Sequence, residues 1–238
     1  MTEPQPVPAV QSGVIVSIAE LTKTYPAGGG RVVTAVHAVS LDLAPASVTA
    51  ITGPSGSGKS SLLRLVGGLE RADSGVIAVD TEQITSLPPR ALPGYRRRIG
   101  LVFEDDLLLP ALTVLDNVRI LEPGRSRTAR DRARELLAAV GLAGLGDERP
   151  SRLPPVDRQR VAVARALFSE PGLLLADEPT GALDTAAGGE IVELILRVRD
   201  EYGVTVLLAT HDPEIAINCD RVVRLLDGRI ADDSAAPI

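Results

Sequence analysis

Gly53-Pro54-Ser55-Gly56-Ser57-Gly58-Lys59-Ser60 decides the fold. The pattern G-x-x-x-x-G-K-[ST] follows an apolar, strand-like run, Val48 to Thr52, and opens a helix-like one, Ser61 to Leu69. Its glycines let successive backbone N–H groups converge on phosphate oxygens, which side chains there would obstruct. Lys59 is expected to reach the terminal phosphates and the Ser60 hydroxyl to coordinate Mg²⁺. The helix that follows turns its positive end to the same anion. Such a strand–loop–helix unit is ATP or GTP chemistry.

A second stretch supports this reading. Gly172-Leu173-Leu174-Leu175-Ala176, bounded by Pro171 and Pro179, has the length and apolarity of a central parallel strand. It ends in Asp177-Glu178, at the carboxyl end where open α/β sheets bind ligands. Asp177 is expected to hold Mg²⁺ through water. Glu178, one residue on, is expected to polarise an attacking water.

Composition narrows the class. The chain has 238 residues, 45% of them hydrophobic, enough for a full core. A net charge of −6 argues against a nucleic-acid partner that needs a broad basic surface. The single cysteine, Cys219, excludes an intramolecular disulfide and suits a reducing cytoplasm. No apolar run is long enough to span a bilayer. Only Lys23 and Lys59 are lysines among the 25 basic residues, so a lysine in the phosphate loop is informative. Residues 1–12 carry three prolines and no apolar signal region, and are expected to form a flexible tail.

Strands are expected over Val14–Thr22, Val36–Leu43, Val48–Thr52, Val76–Asp80, Ile99–Phe103, Leu173–Ala176 and Val204–Ala209. Arg221–Leu226 and Arg229–Ala231 flank Asp227-Gly228, a hairpin signal. Helices are expected over Thr113–Ile120, Ser126–Val140, Ala182–Tyr202 and Pro213–Cys219. The plan is one α/β domain over residues 13–231, with a mostly parallel sheet and an N-terminal antiparallel β layer. A helical subdomain is inserted at about residues 105–158, and residues 232–238 are expected to be flexible.

These residues resemble the ATP-binding subunit of an ABC transporter over about residues 14–231, which implies a P-loop NTPase core. Gly181-Ala182-Leu183-Asp184 looks like the D-loop, in which Asp184 communicates across a dimer. His211 looks like the switch histidine that contacts the γ-phosphate, and Tyr25 like the aromatic that stacks on adenine. The resemblance implies ATP and Mg²⁺ as cofactors, with ATP held by Tyr25 and by Gly53 through Ser61. Metal contacts would come from Ser60, Asp177 and Glu104. Ile99 to Val118 is similar to the subgroup serving lipoprotein release, macrolide export and cell division. The implied partners are a membrane permease and a second ATP-binding subunit, with the chain peripheral on the inner face of the cell membrane. Leu107 to Leu109 are either core or the surface that meets the permease. His37 has no motif around it and is read as structural.

Two positions depart from the family pattern. Each ATP in that family lies between one subunit's phosphate loop and the other's signature, typically Leu-Ser-Gly-Gly-Gln/Glu. This chain has Leu153-Pro154-Pro155-Val156-Asp157. Pro154 supplies no hydroxyl, neither proline has an N–H, and Val156 adds a branched side chain where close approach is needed. Prolines suit a helix start, so the helix is expected to form while its anion grip is lost. Each missing transition-state donor costs roughly 10²–10³ in rate. Glu104 stands where the family usually has glutamine. Its repulsion of a γ-phosphate is on the order of 4 kcal/mol at contact distance, opposed by Mg²⁺. The preferred expectation is an ATPase that works as half of an asymmetric pair. The alternatives are an ATP-gated, hydrolysis-deficient clamp and, last, a non-transport ATPase, which would need coiled-coil insertions or tandem cassettes absent here.

Overall fold

The computed structural model describes residues 13–235 apart from Pro123 and Arg125; the tail expected at residues 1–12 lies outside the described residues. β1 (Val16–Ala27) and β2 (Arg31–Leu43) form a long hairpin closed by Gly28 to Gly30, with Gly29 and Gly30 at positive φ. β4 (Ser74–Val79) and β5 (Glu82–Gln83) extend it antiparallel, in the order β2-β1-β4-β5. A second sheet is ordered β10 (Arg229–Ala235), β9 (Arg221–Leu226), β3 (Val48–Thr52), β8 (Thr205–Thr210), β7 (Leu173–Asp177), β6 (Ile99–Phe103). It is parallel throughout except for the β9–β10 hairpin, which turns at Asp227-Gly228. The chain is thus α/β with an antiparallel layer and a mostly parallel sheet.

The parallel sheet is buried on both faces, which is why its strands read as unbroken apolar runs. Side chains alternate across it. Leu173, Leu175 and Leu207 join Leu62 and Val66 of α1 (Lys59–Val66) and Leu41 of β2 in one cluster. Leu174, Ala176 and Val206 join Val161 of α5 (Pro155–Leu167) and Ile191 of α6 (Thr185–Tyr202) in the other. Each buried leucine contributes roughly 1.5–3 kcal/mol.

Between β6 and β7 lie α3 (Val114–Val118), α4 (Arg127–Ala139) and α5. Side-chain caps set where helices start. Thr113, Ser126 and Asp184 accept from the backbone N–H of Asp116, Ala129 and Ala187 at 3.1, 3.2 and 2.9 Å. The cap at Asp184 moves the start of α6 three residues past the expected Ala182, and Gly203 at φ 62 ends it.

Several expected bounds change. α5 runs unbroken from Pro155 to Leu167, across the expected insertion boundary at about 158, because Val161, Val163 and Ala164 continue its buried face. Residues 232–235, expected to be flexible, belong to β10 and pair with β9; the charged Asp232 and Asp233 hid the strand pattern. A short helix, α2 (Leu92–Arg96), follows Pro88-Pro89, since Pro93 and Gly94 read as breakers yet fit a first turn. The seventh helix, α7 (Pro213–Ala216), stops short of the expected Cys219.

Candidate nucleotide site

Register brings the site together. Thr52 of β3 pairs with Thr210 of β8, Asp177 of β7 with Ala209, and Phe103 of β6 with Asp177. Four parallel strands therefore end at one level, and Gly53, His211, Glu178 and Glu104 each follow a strand end. Most of these residues line one cleft of about 690 Å³: Pro54 to Ser61 without Ser57, then Glu104, Glu178, His211 and Tyr25.

The phosphate loop is shaped by packing as well as by ligand approach. A Cβ on Gly58 would lie 2.0 Å from the Ala35 carbonyl oxygen, and one on Gly53 would lie 2.2 Å from that of Leu225. Both have positive φ, 106° and 146°. Ser57 turns inward, so Gly53 and Ser57 form the floor behind the cleft. Gly58 is the N-cap of α1 with no side-chain cap, and no acidic residue sits in its first turn. The positive end of α1 is left open toward the cleft.

Lys59 is 6% exposed, and its Nζ donates to the carbonyls of Gly53 at 2.9 Å and Pro54 at 3.3 Å. It also lies 3.2 Å from Glu178 Oε1. The other oxygen, Glu178 Oε2, accepts from His211 Nδ1 at 2.7 Å and from its backbone N–H at 3.2 Å. A carboxylate only accepts, so Nδ1 carries the proton in this pair. Glu178 itself has φ 50, a left-handed conformation that non-glycine residues adopt at a cost of about 1–3 kcal/mol. The Glu178 N–H donates to Ala209 and its carbonyl accepts from Gly181, which hold it there.

Ser60 Oγ donates to Asp177 Oδ1 at 2.7 Å. Burial raises the Asp177 carboxyl above its ordinary value, against the lowering effect of the Ser60 hydrogen bond. A desolvated carboxylate beside a hydroxyl is a hard oxygen pair seeking a cation, which fits Mg²⁺. No cluster of three or more His, Cys, Asp or Glu able to cage a metal occurs among the described residues. Glu104 is exposed and lies against Gly181, where an added Cβ would come within 2.8 Å of Glu104 Oε1.

Other expected residues lie elsewhere. Leu153 to Asp157 and Asp184 do not line the cleft. Pro154 is the N-cap of α5 and Pro155 its first residue, with no side-chain cap and Asp157 in the first turn. Val156 is half-buried and packs against the core. Of the three leucines, Leu108 is buried while Leu107 and Leu109 are 56% and 47% exposed. Sequence reading missed what holds these parts: Arg158 Nε pairs with Asp106 at 2.8 Å, and Gln159 Nε2 donates to the Phe103 carbonyl at 2.7 Å. A run Arg158-Gln159-Arg160 on a helix gives no hint of which loop it grips. Ala35, also lining the cleft, carries no signal.

The family model described as ABC transporter matches residues 36–181. The chain belongs to the ABC transporter family. This ABC chain is 45% identical over 240 residues to the lipoprotein-releasing system ATP-binding protein LolD of Anaeromyxobacter dehalogenans, covering 98% of this chain and 97% of that protein. It is 46% identical to the aliphatic sulfonates import ATP-binding protein SsuB of Cupriavidus necator, over 95% of this chain and 71% of that protein. With the macrolide export ATP-binding/permease protein MacB of Rhodopirellula baltica it shares 42% identity, but spans only 29% of that longer protein. Among solved structures it resembles the ATP-binding cassette MJ0796 in a dimeric post-hydrolysis state bound to ADP and Pi. The TM-score is 0.84 at 35% identity, over 94% of this chain and 99% of that one. The chain is an ATP-binding subunit of this family, and no helix among the described residues is long and apolar enough to cross a membrane.

Proposed function

We propose that this chain binds ATP with Mg²⁺ and hydrolyses it to drive a separate membrane permease, as one half of an asymmetric nucleotide-binding pair. The observation that carries this reading is a contrast within one chain. Most of the phosphate loop, Ser60, Glu178 and His211 line one cleft, with Asp177 bonded to Ser60, while α5 opens on Pro154-Pro155 with no cap. The half-site this chain holds is complete; the half-site it lends to a neighbour lacks its donors.

Backbone N–H groups of the loop, the α1 N-terminus and Lys59 bind the phosphates. Ser60 and Asp177 hold Mg²⁺, which supplies charge neutralisation on the phosphates when bound. Lys59 Nζ lies 3.2 Å from Glu178 Oε1. A phosphate competes for that ammonium and frees Oε1 to accept a proton from the attacking water. His211, through its 2.7 Å bond to Oε2, keeps the carboxylate aimed. The exposed Leu107 and Leu109 offer the permease an apolar contact. Relatives named for lipoprotein release, macrolide export and sulfonate import share similar identity, so the cargo is set by the permease.

The test is the steady-state ATPase rate against protein concentration, alone and with a second ATP-binding subunit of intact signature, with Glu178→Gln as control. The expected result is little Glu178-dependent turnover alone and a gain on mixing. A rate alone that rises more steeply than linearly would make the homodimer the working unit. Binding without turnover in either case would make the chain an ATP-gated clamp.

A further inference from the structure

Tyr25 lines the cleft, but its hydroxyl is not free to meet a ligand: it donates to Glu70 Oε2. Glu70 follows α1 in the chain and is tied back to that helix through Arg64, 3.8 Å from Glu70 Oε1. Lys23 Nζ stands 5.4 Å from the centre of the Tyr25 ring, at cation–π distance. Lys23 is itself held by Asp73 at 3.3 Å. Asp73 also accepts from the backbone N–H of Thr24 at 2.7 Å and from its hydroxyl at 2.6 Å. Lys23 does not line the cleft. The ring face it covers is therefore not the one offered to a ligand. These tethers come from the short segment between α1 and β4 and from the strand the ring sits on, with Ser61 of α1 beside the hydroxyl.

We infer that Glu70 is a positioning residue: it locks the Tyr25 ring to the helix that carries the phosphate loop, making a rigid platform that holds a nucleotide base by its face alone. The inference rests on the nucleotide-binding reading above, and not on the asymmetric pair. Because the hydroxyl is committed to Glu70, it reads no base edge. Ala35 and Pro54, which also line the cleft, carry no polar side-chain atom to read one. Adenine and guanine should therefore bind alike, since every base has a π-face. Burial and the Glu70 bond both raise the Tyr25 hydroxyl above its ordinary value, so it stays a donor across the working pH range.

The experiment is equilibrium binding of ATP, GTP and inorganic tripolyphosphate, each with Mg²⁺, to the full chain and to Glu70→Gln, Tyr25→Phe and the double variant. ATP and GTP should bind the parent chain within about threefold of each other, for want of an edge contact. Each single variant should weaken both nucleotides about fivefold while tripolyphosphate is unchanged, and the double variant should be no worse than either single. Steady-state KM should rise with kcat unchanged. Strong preference for one purine, or unchanged ATP binding in Glu70→Gln, would overturn the inference. So would a parallel loss of tripolyphosphate, which would make Glu70 a general structural support. If the parent chain bound tripolyphosphate but neither nucleotide, the base platform alone would fall. If it bound none of the three, the nucleotide-binding reading would fall with it.

Discussion

Three helices, α1, α2 and α5, begin without a side-chain cap, and α1 and α5 do so for opposite reasons. At α1 the cap position is Gly58 and the first turn holds no acid, so its N–H groups and positive dipole end stay available. At α5 the problem of unsatisfied donors is solved by removing them. Pro154 and Pro155 have no N–H to satisfy, and Asp157 in the first turn offsets the dipole from within. Both solutions stabilise a helix start, but only the first leaves an anion site. α3, α4, α6 and α7 solve the same problem with Thr113, Ser126, Asp184 and Asp212, whose side chains accept from the first turn.

The contrast can be broken at either helix. The largest effect is expected from Glu178→Gln, which should lower turnover in the assembled pair about 10²–10⁴-fold while ATP binding persists, read by steady-state kinetics beside equilibrium binding. Equal loss in both would mean the residue serves the fold. Next, restoring donors at α5 with Pro154→Ser, Pro155→Gly and Val156→Gly together should raise self-paired turnover about 10²-fold. No gain would show that Asp157, and not the prolines, closes that half-site, or that Glu104 limits the site this chain holds.

The metal end of α1 is sharpened by pH. The Asp177 carboxyl is raised by burial, so the empty folded state binds its proton more tightly than the unfolded chain does. Its contribution to stability is present below the ordinary aspartate range and is lost as pH rises through the raised value. Mg²⁺ needs the ionised form, so its half-saturation in nucleotide binding should weaken about tenfold per unit once pH falls below that value. A flat profile down to the ordinary aspartate range would remove Asp177 from the metal site. The smallest effect belongs to an ordinary cap: Thr113→Ala should lower stability by about 1 kcal/mol in denaturant melts and leave nucleotide affinity unchanged.

Much of this was legible because local chemistry and chain pattern agree. β6 was expected over Ile99–Phe103 and is found there, since its apolar run is cut by Arg98 and Glu104. β10 was cut short in reading because Asp232 and Asp233 mask a strand held by pairing with β9. Asp233 sits there against Arg221, whose guanidinium holds its carboxyl below the usual range. Val156 was read for its branched side chain at the start of α5, and its packing against the core had no local signal. Tyr25 carried an expectation from its neighbours in sequence, while Glu70, which holds its hydroxyl, carried none.

The sequence by itself determined the phosphate loop, the Asp177-Glu178 strand end and the loss of donors at Pro154-Pro155, because each is a property of consecutive residues: glycine freedom, apolar run length, a missing N–H. Only the tertiary structure decided that Lys59 and His211 share the two oxygens of Glu178, that Ala35 makes Gly58 obligatory, and that Glu70 holds Tyr25. Those relations depend on the register of four parallel strands and on a ring reaching from β1 to the segment that follows α1. Distances between residues far apart in the chain are set by packing, and no local pattern encodes them.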